Sequence, residues 1–150
     1  VAFVAGGPVL PAPRTVDALG DWSGWDDACR DFSGTACYRR AFTVPDPDAA
    51  WAVELGEVLH SARVRVNGVD AGTLVGRPWR LPLPPLRPGE NLLEVFVANL
   101  DANRLAALDR AEAPWKRFLF VDAAYQPFDA SGWPPLPSGL LGPVRLVRLE

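Results

Sequence analysis

The sequence has few of the residues that build metal centres and catalytic triads. Its 150 residues include one histidine, two cysteines and no methionine. Zinc takes four nitrogen or sulfur ligands, and one histidine with two cysteines cannot supply them alone. We therefore expect no metal site, with the exception of a structural calcium ion that turn carbonyls beside Asp26, Asp27 or Asp101 could hold.

Long apolar runs and clusters of positive charge are also missing. Hydrophobic residues make up 49% of the chain and charged residues 22%, which is a globular composition. Because no apolar run approaches the roughly 18 residues of a membrane span, we expect a soluble protein without a membrane partner. The net charge of -3 is spread without a basic stripe, which argues against nucleic acid as a partner. The length fits one domain over residues 1–150.

The N-terminal segment "VAFVAGGPVLPAPR" has no initiating methionine, basic leader or long hydrophobic core. It therefore does not match a signal peptide, and we predict a first strand at Ala2–Val4. A chain without any methionine is expected to be a piece of a longer polypeptide. Seven residues separate Cys29 from Cys37, so they could form a disulfide or remain two buried thiols.

Short apolar segments between turn residues predict an all-β sandwich. The clearest is Ala62–Val66, which alternates apolar residues with arginines and meets Asn67-Gly68, a pair typical of a tight hairpin. Leu92–Val97 follows a Pro-Gly turn and is apolar on both faces, which predicts a central buried strand. Further strands are predicted in "WAVELG", in "RLPLPPL", at Phe118–Val121 and at Pro143–Leu149. The prolines of "RLPLPPL" place that strand at a sheet edge.

The segment "FSGTACYRRAFTVP" could hold a nucleophile with charged partners, or it could be a strand. Tyr38, Phe42 and Val44 give an imperfect period of two with the residues between them, as in a strand. A nucleophilic Cys37 would need a nearby base, and no sequence feature ties His60 to it. We predict a strand, and we assign no role to His60.

One helix is predicted in "DANRLAALDRAEA", Asp101–Ala113, with Asp101 as its N-cap. A long Pro-rich loop follows, and such loops are often functional. Asn99 and Asn103 could bind a ligand, but we favour a structural role in which they satisfy buried backbone groups beside the central strand.

An ordered set of segments carries a resemblance to known enzymes. It consists of "GGPVLP", "FSGTACYRRAF", "ELGEVLHSARVRVNGVDAGTLVGRPWRLPL", "LRPGENLLEVFVANLDANR", "YQPFDASGW" and "SGLLGPVRL". The set resembles the C-terminal non-catalytic β-sandwich of glycoside hydrolase family 106, the α-L-rhamnosidases. Its middle portion is also similar to the sugar-binding domain of family 2. The resemblance implies a galactose-binding-like jelly roll beside a catalytic barrel, in a secreted or periplasmic bacterial enzyme. It also implies that the catalytic carboxylates lie in the barrel.

Glycosidic cleavage needs two carboxylates about 5 to 9 Å apart, so clusters of acidic residues are candidate catalytic groups. They are Asp26 with Asp27, Asp46 with Asp48, and Asp109 with Glu112. All lie in predicted loops or beside the helix, and we interpret them as solvated surface groups.

Tryptophans in turn sequences are the main binding candidates, because indoles stack on the apolar faces of sugar rings. The candidate carbohydrate-binding residues are Trp22, Trp25, Arg77, Trp79, Arg104, Trp115, Lys116 and Trp133. The tryptophans could instead close the ends of the sandwich or pack against another domain, and Trp51 is assigned to the core.

The sequence thus predicts a jelly-roll sandwich with one short helix that serves a glycoside hydrolase as a carbohydrate-binding or structural accessory domain. We expect carbohydrate and the parent catalytic domain as partners and no catalysis by this chain alone. One alternative is a pure protein–protein scaffold that buttresses the barrel without binding sugar. The other is a small enzyme, which would require paired carboxylates in a concave pocket.

Overall fold

The fold is taken from a computed structural model that describes residues 1–116, Val121 and residues 125–150. Within them the strands are Ala2–Gly7 (β1), Ser33–Phe42 (β2), Trp51–Glu54 (β3), Glu57–Leu59 (β4), Ser61–Val66 (β5), Val69–Leu74 (β6), Arg80–Pro82 (β7), Asn91–Ala98 (β8), Gly139–Gly142 (β9) and Arg145–Arg148 (β10). The α-helices are Asp27–Asp31 (α1) and Ala102–Arg110 (α2), and a 3-10 turn covers Trp22–Gly24. No helix among the described residues is long and apolar enough to cross a membrane.

The larger layer is an antiparallel sheet with the strand order β1-β2-β8-β5-β6. β8 lies between β2 and β5, which confirms its predicted central position, but only one of its faces is buried, and Leu92 on the other face is 39% exposed. Its residues Leu93, Val95 and Val97 are buried and alternate with less buried neighbours. The turn between β5 and β6 is formed by Asn67 and Gly68, both with positive φ, as the sequence predicted.

The second layer consists of a three-stranded sheet, β10-β3-β7, and a two-stranded sheet, β4-β9. β7 is the edge strand that its prolines predicted. The strand predicted in "WAVELG" is β3, and β4 begins directly after Gly56, whose φ is +69°. A Cβ at Gly56 would lie 2.2 Å from the carbonyl carbon of Gly142, so only glycine fits this crossing. Side chains of both layers form one core, which confirms the all-β sandwich.

Phe3, Trp22 and Phe32 form an aromatic cluster in the core of the sandwich, which we call the core aromatic cluster. The ring centroids of Phe3 and Trp22 are 5.5 Å apart and those of Phe3 and Phe32 are 4.9 Å apart, both in edge-to-face geometry. Trp22 also stacks on Tyr38 at 6.4 Å. These contacts pack the 3-10 turn against β1 and β2.

Both cysteines are buried free thiols, so the disulfide alternative is not realised. Cys37 lies in β2, which confirms that this segment is a strand. Burial raises the pKa of Cys37 and raises that of Cys29 to about 12, so neither thiol is an activated nucleophile. Cys29 belongs to α1, a one-turn helix that was not predicted and that Asp26 caps by accepting the Cys29 N–H at 2.8 Å.

α2 begins directly after Asp101, as predicted, but the Asp101 side chain makes no capping hydrogen bond. The helix ends at Arg110 rather than at Ala113. Of the predicted strand Phe118–Val121, residues 118–120 lie outside the described residues. The predicted C-terminal strand is β10, and the short strand β9 before it was not predicted.

Candidate functional site

A buried carboxylate near the end of α2 organises the surface beside it. The Asp109 side chain is only 4% exposed. Its Oδ1 accepts a hydrogen bond from Trp115 Nε1 at 2.6 Å and lies 2.9 Å from Lys116 Nζ. Its Oδ2 accepts the backbone N–H of Ala130 at 2.7 Å. Asp109 therefore joins α2 to two separate parts of the following loop.

Burial by itself would raise the pKa of Asp109. The hydrogen bonds from the Ala130 N–H, Lys116 and Trp115, with the positive charge of Lys116, outweigh that effect and lower the pKa below its ordinary value. Asp109 is consequently an ionised structural anchor and not a proton donor. The prediction that it is a solvated surface group was wrong, because the loop around Ala130 folds back over it.

Trp115, Phe128 and Trp133 form a surface aromatic cluster above this anchor. The ring centroids of Trp115 and Phe128 are 6.0 Å apart and those of Phe128 and Trp133 are 5.6 Å apart, both edge to face. Lys116 Nζ lies 5.5 Å from the centroids of both Trp115 and Phe128, and it donates to the Phe128 carbonyl oxygen. Trp133 is 41% exposed. The cluster thus presents an indole beside an ammonium group.

Trp115, Lys116 and Trp133 are three of the eight predicted binding residues, and the structure brings them together. Phe128 is a fourth member of the same surface and was not among the predicted binding residues. Its position in "YQPFDASGW", five residues before Trp133, is the only sequence feature that could have indicated it.

The other candidates lie elsewhere, and Trp22 requires a correction. Trp22 has no exposed surface and belongs to the core aromatic cluster, so it cannot stack on a sugar. Its turn was interpreted as a surface loop, but β1, β2 and β9 surround it. Trp25 is half-buried beneath the Arg14 guanidinium, whose Cζ lies 5.0 Å from the ring centroid. Trp79 packs on the core, as does the half-buried Trp51.

The two remaining candidates are arginines on other parts of the surface. Arg77 is exposed in the loop before β7. Arg104 is exposed on α2, and a Cβ at Gly7 of β1 would lie 3.4 Å from its Cζ atom. Among the described residues, neither arginine takes part in the hydrogen bonds or ring contacts that build the surface aromatic cluster.

Asn99 and Asn103 have the structural role that was favoured. Asn99 accepts the Gly34 N–H at 2.8 Å and donates to the Phe32 carbonyl at 3.0 Å. Asn103 accepts the Leu136 N–H at 2.7 Å and donates to the Leu136 carbonyl at 2.9 Å. Both amides therefore hold irregular backbone against the sandwich.

In the other acidic clusters, Asp26, Asp27 and Asp46 are each paired with an arginine, and Asp48 is exposed to solvent. Asp26 pairs with Arg14, and its bonds to the Cys29 N–H and to Arg14 lower its pKa to about 2. Asp27 pairs with Arg30 at 2.8 Å. In the part of the chain that the structure describes, no three His, Cys, Asp or Glu side chains are grouped to hold a metal ion. Calcium near the predicted aspartates stays a prediction.

No family model matches the sequence. A protein from Formosa agariphila named "Putative beta-glucuronidase" is 31% identical over 155 residues, which cover 87% of this chain and 13% of that protein.

Among solved structures, the chain is similar to a rhamnosidase from Novosphingobium sp. PP1Y, with 36% identity and a TM-score of 0.70. The match covers 85% of this chain and 12% of the rhamnosidase. A family 2 β-galacturonidase from Eisenbergiella tayi, solved with galacturonate, is similar at 25% identity and a TM-score of 0.53, over 66% of this chain and 17% of that one. The chain therefore spans about an eighth of the curated relative and of the rhamnosidase. Over most of its length, this β-sandwich is similar to a small part of much larger glycoside hydrolases.

Proposed function

We propose that this chain is a non-catalytic accessory domain of an α-L-rhamnosidase-like glycoside hydrolase and that it binds carbohydrate at the surface aromatic cluster. The observation that carries the proposal is the 36% identity to a rhamnosidase over 85% of the chain but only 12% of that enzyme. A segment of that proportion is the size of one domain in a larger enzyme.

The chemistry of the surface aromatic cluster supports carbohydrate as its ligand. An exposed indole such as Trp133 offers an apolar face for the C–H groups of a sugar ring. Lys116 places a hydrogen-bond donor at the edge of the same surface for hydroxyl groups. Asp109 fixes both Trp115 and Lys116, so the surface is pre-organised and loses less entropy on binding.

The carboxylates support a role without catalysis. Asp26 and Asp27 are paired with arginines, and Asp109 is buried and saturated with donors. A glycosidase needs one carboxyl that remains protonated near neutral pH, whereas the pKa values of Asp26 and Asp109 are lowered. Hydrolysis is assigned to the rest of the parent enzyme.

Calorimetric titration of the chain with rhamnose- and galactose-containing oligosaccharides tests this function. We expect weak binding by the wild-type chain and a loss of about tenfold or more in Trp133→Ala, because one stacking platform is removed. Val75→Ala is the matched control, since Val75 is 83% exposed and lies in the loop before β7. A folded wild-type chain that binds none of these sugars would reject the carbohydrate role.

A scaffold without sugar binding is the second candidate. It is supported by the small share of the relatives that the chain spans and by exposed apolar side chains at Val9, Leu10 and Val75. This alternative predicts that the chain binds the separately produced remainder of its parent polypeptide. It also predicts that Trp133→Ala weakens that association, and that neither the wild-type chain nor the Trp133→Ala variant binds sugar.

A further inference from the structure

The inner face of β2 carries a positive charge where a sandwich is normally apolar. Side chains alternate along a strand, so Tyr38, Arg40 and Phe42 share one face. Tyr38 and Phe42 contact the core, which identifies this as the inner face. Arg40 is opposite Leu93 of β8, yet it is exposed to solvent. The second layer therefore leaves this end of β2 uncovered.

A cavity of about 520 Å³ lies between the two layers at this end. Its volume is in the range of sites for small organic ligands. The apolar residues that line it are Phe42, Leu93 and Val95 on the larger sheet and Leu140, Val144 and Leu146 on the opposite side. The apolar part of a small molecule can therefore be enclosed between the two layers.

Charged groups at the cavity are mainly cationic. Arg39, Arg40, Arg145 and Asp17 line it. Arg39 is paired with Glu94 at 2.9 Å. Over the described residues, Arg40, Arg145 and Asp17 take part in no ion pair. Leu146 of β10 packs on the core, so Arg145 beside it lies on the outer face of that strand. Arg40 is therefore the unpaired arginine on the inner face, and its guanidinium is available to an anionic group of a ligand.

We propose that this inter-layer cavity is a second binding site, for a small ligand that has an apolar body and one carboxylate. The apolar body would leave water for the space between the layers. The carboxylate would be bound by Arg40, because a guanidinium can donate two parallel hydrogen bonds to a carboxylate.

This site is separate from the surface aromatic cluster. α2 is held at the opposite end of β2, where the Arg104 N–H donates to Ser33 Oγ at 3.0 Å. None of the cavity residues belongs to the surface aromatic cluster. The second site consequently does not depend on the proposed carbohydrate role.

Octanoate and octanol form a probe pair that differs in charge. We expect the wild-type chain to bind octanoate more tightly than octanol in a calorimetric titration. Arg40→Gln should weaken octanoate binding about tenfold and leave octanol binding unchanged, since only the charge-assisted hydrogen bonds are lost. Arg87→Gln is the matched control, because Arg87 is an exposed arginine outside the cavity, and it should bind both probes like the wild type.

A second variant tests the location of the apolar body. Val144→Trp places a larger side chain in the cavity wall and should abolish binding of both probes, with the unfolding midpoint measured to show that the chain is folded. Trp133→Ala should leave octanoate binding unchanged, which separates this site from the proposed sugar site. The proposal is overturned if wild-type chain binds octanoate no more tightly than octanol, or if folded Arg40→Gln or Val144→Trp binds octanoate like the wild type.

Discussion

Two groups of aromatic residues in this protein have similar internal geometry and different exposure to solvent. In the core aromatic cluster and in the surface aromatic cluster, a phenylalanine packs edge to face with tryptophan at 5.5 to 6.0 Å. Trp22 of the first group has no exposed surface, while Trp133 of the second is 41% exposed. Ring geometry alone therefore does not identify a binding platform. What distinguishes the two groups is whether other elements cover them.

The indole N–H groups show the same contrast. Trp22 Nε1 is buried and has no hydrogen-bond partner among the described residues, whereas Trp115 Nε1 donates to Asp109 at 2.6 Å. The core aromatic cluster is thus held by apolar packing, and the surface aromatic cluster is held by a polar anchor beneath it. Substitutions in the core aromatic cluster should therefore lower the global stability. Substitutions in the surface aromatic cluster or its anchor should change only the local order of the loop.

Trp22→Ala should give the largest effect in the chain. Removing a fully buried indole leaves a cavity, and such substitutions cost about 3 to 5 kcal/mol of unfolding free energy. Urea unfolding followed by circular dichroism measures the loss. Trp133→Ala is the matched comparison. It should lower the unfolding free energy by less than about 1 kcal/mol, because removing a partly exposed indole leaves no closed cavity. Equal losses in the two variants would contradict the distinction between the clusters.

Asp109→Ala should have a smaller and more local effect. It leaves the Trp115 indole N–H and the Ala130 N–H without their acceptor, which costs about 1 to 3 kcal/mol. Amide hydrogen exchange should speed up at Ala130 and Ser131 while the core strand β8 stays protected. Asp27→Ala is the control, because the Asp27 side chain is largely exposed. Unchanged exchange at Ala130 would show that Asp109 does not anchor the loop.

Acid should lower the stability of the fold by a small amount through protonation of Asp26, which caps α1 and pairs with Arg14. Its folded pKa of about 2 is below the usual value, so its stabilising contribution is present above about pH 4. That contribution is lost as the pH falls toward 2. Asp26→Asn should therefore lose less stability than the wild type between pH 5 and pH 2, as measured by urea midpoints. Asp101→Asn, which removes no capping bond, should follow the wild-type curve.

Local patterns predicted much of the fold. The alternation in β5, the Asn67-Gly68 turn, the apolar run of β8 and the start of α2 are all encoded within a few neighbouring residues. The structure of these elements depends little on the rest of the chain, so it could be predicted from the sequence.

The missed features depend on contacts between residues far apart in the chain. The buried Asp109 carboxylate accepts a hydrogen bond from Ala130, 21 positions away. The turn that carries Trp22 is tied to Ser138 through Asp21, across 117 positions. Neither contact leaves a local periodic signal, so Trp22 was predicted to be a candidate binding residue and Asp109 a solvated group. The convergence of Trp115, Phe128 and Trp133 likewise depends on how the loop folds back.

The most direct test of the carbohydrate role uses the indole N–H resonances of the six tryptophans as separate reporters. They are recorded in an ¹H–¹⁵N spectrum during titration with a rhamnose-containing oligosaccharide and assigned by single Trp→Phe variants. We predict that the resonances of Trp133 and Trp115 shift with a common saturation curve while that of Trp22 stays in place. Shifts confined to Trp25 or Trp79, or no shift of Trp133 at saturating sugar, would contradict the account.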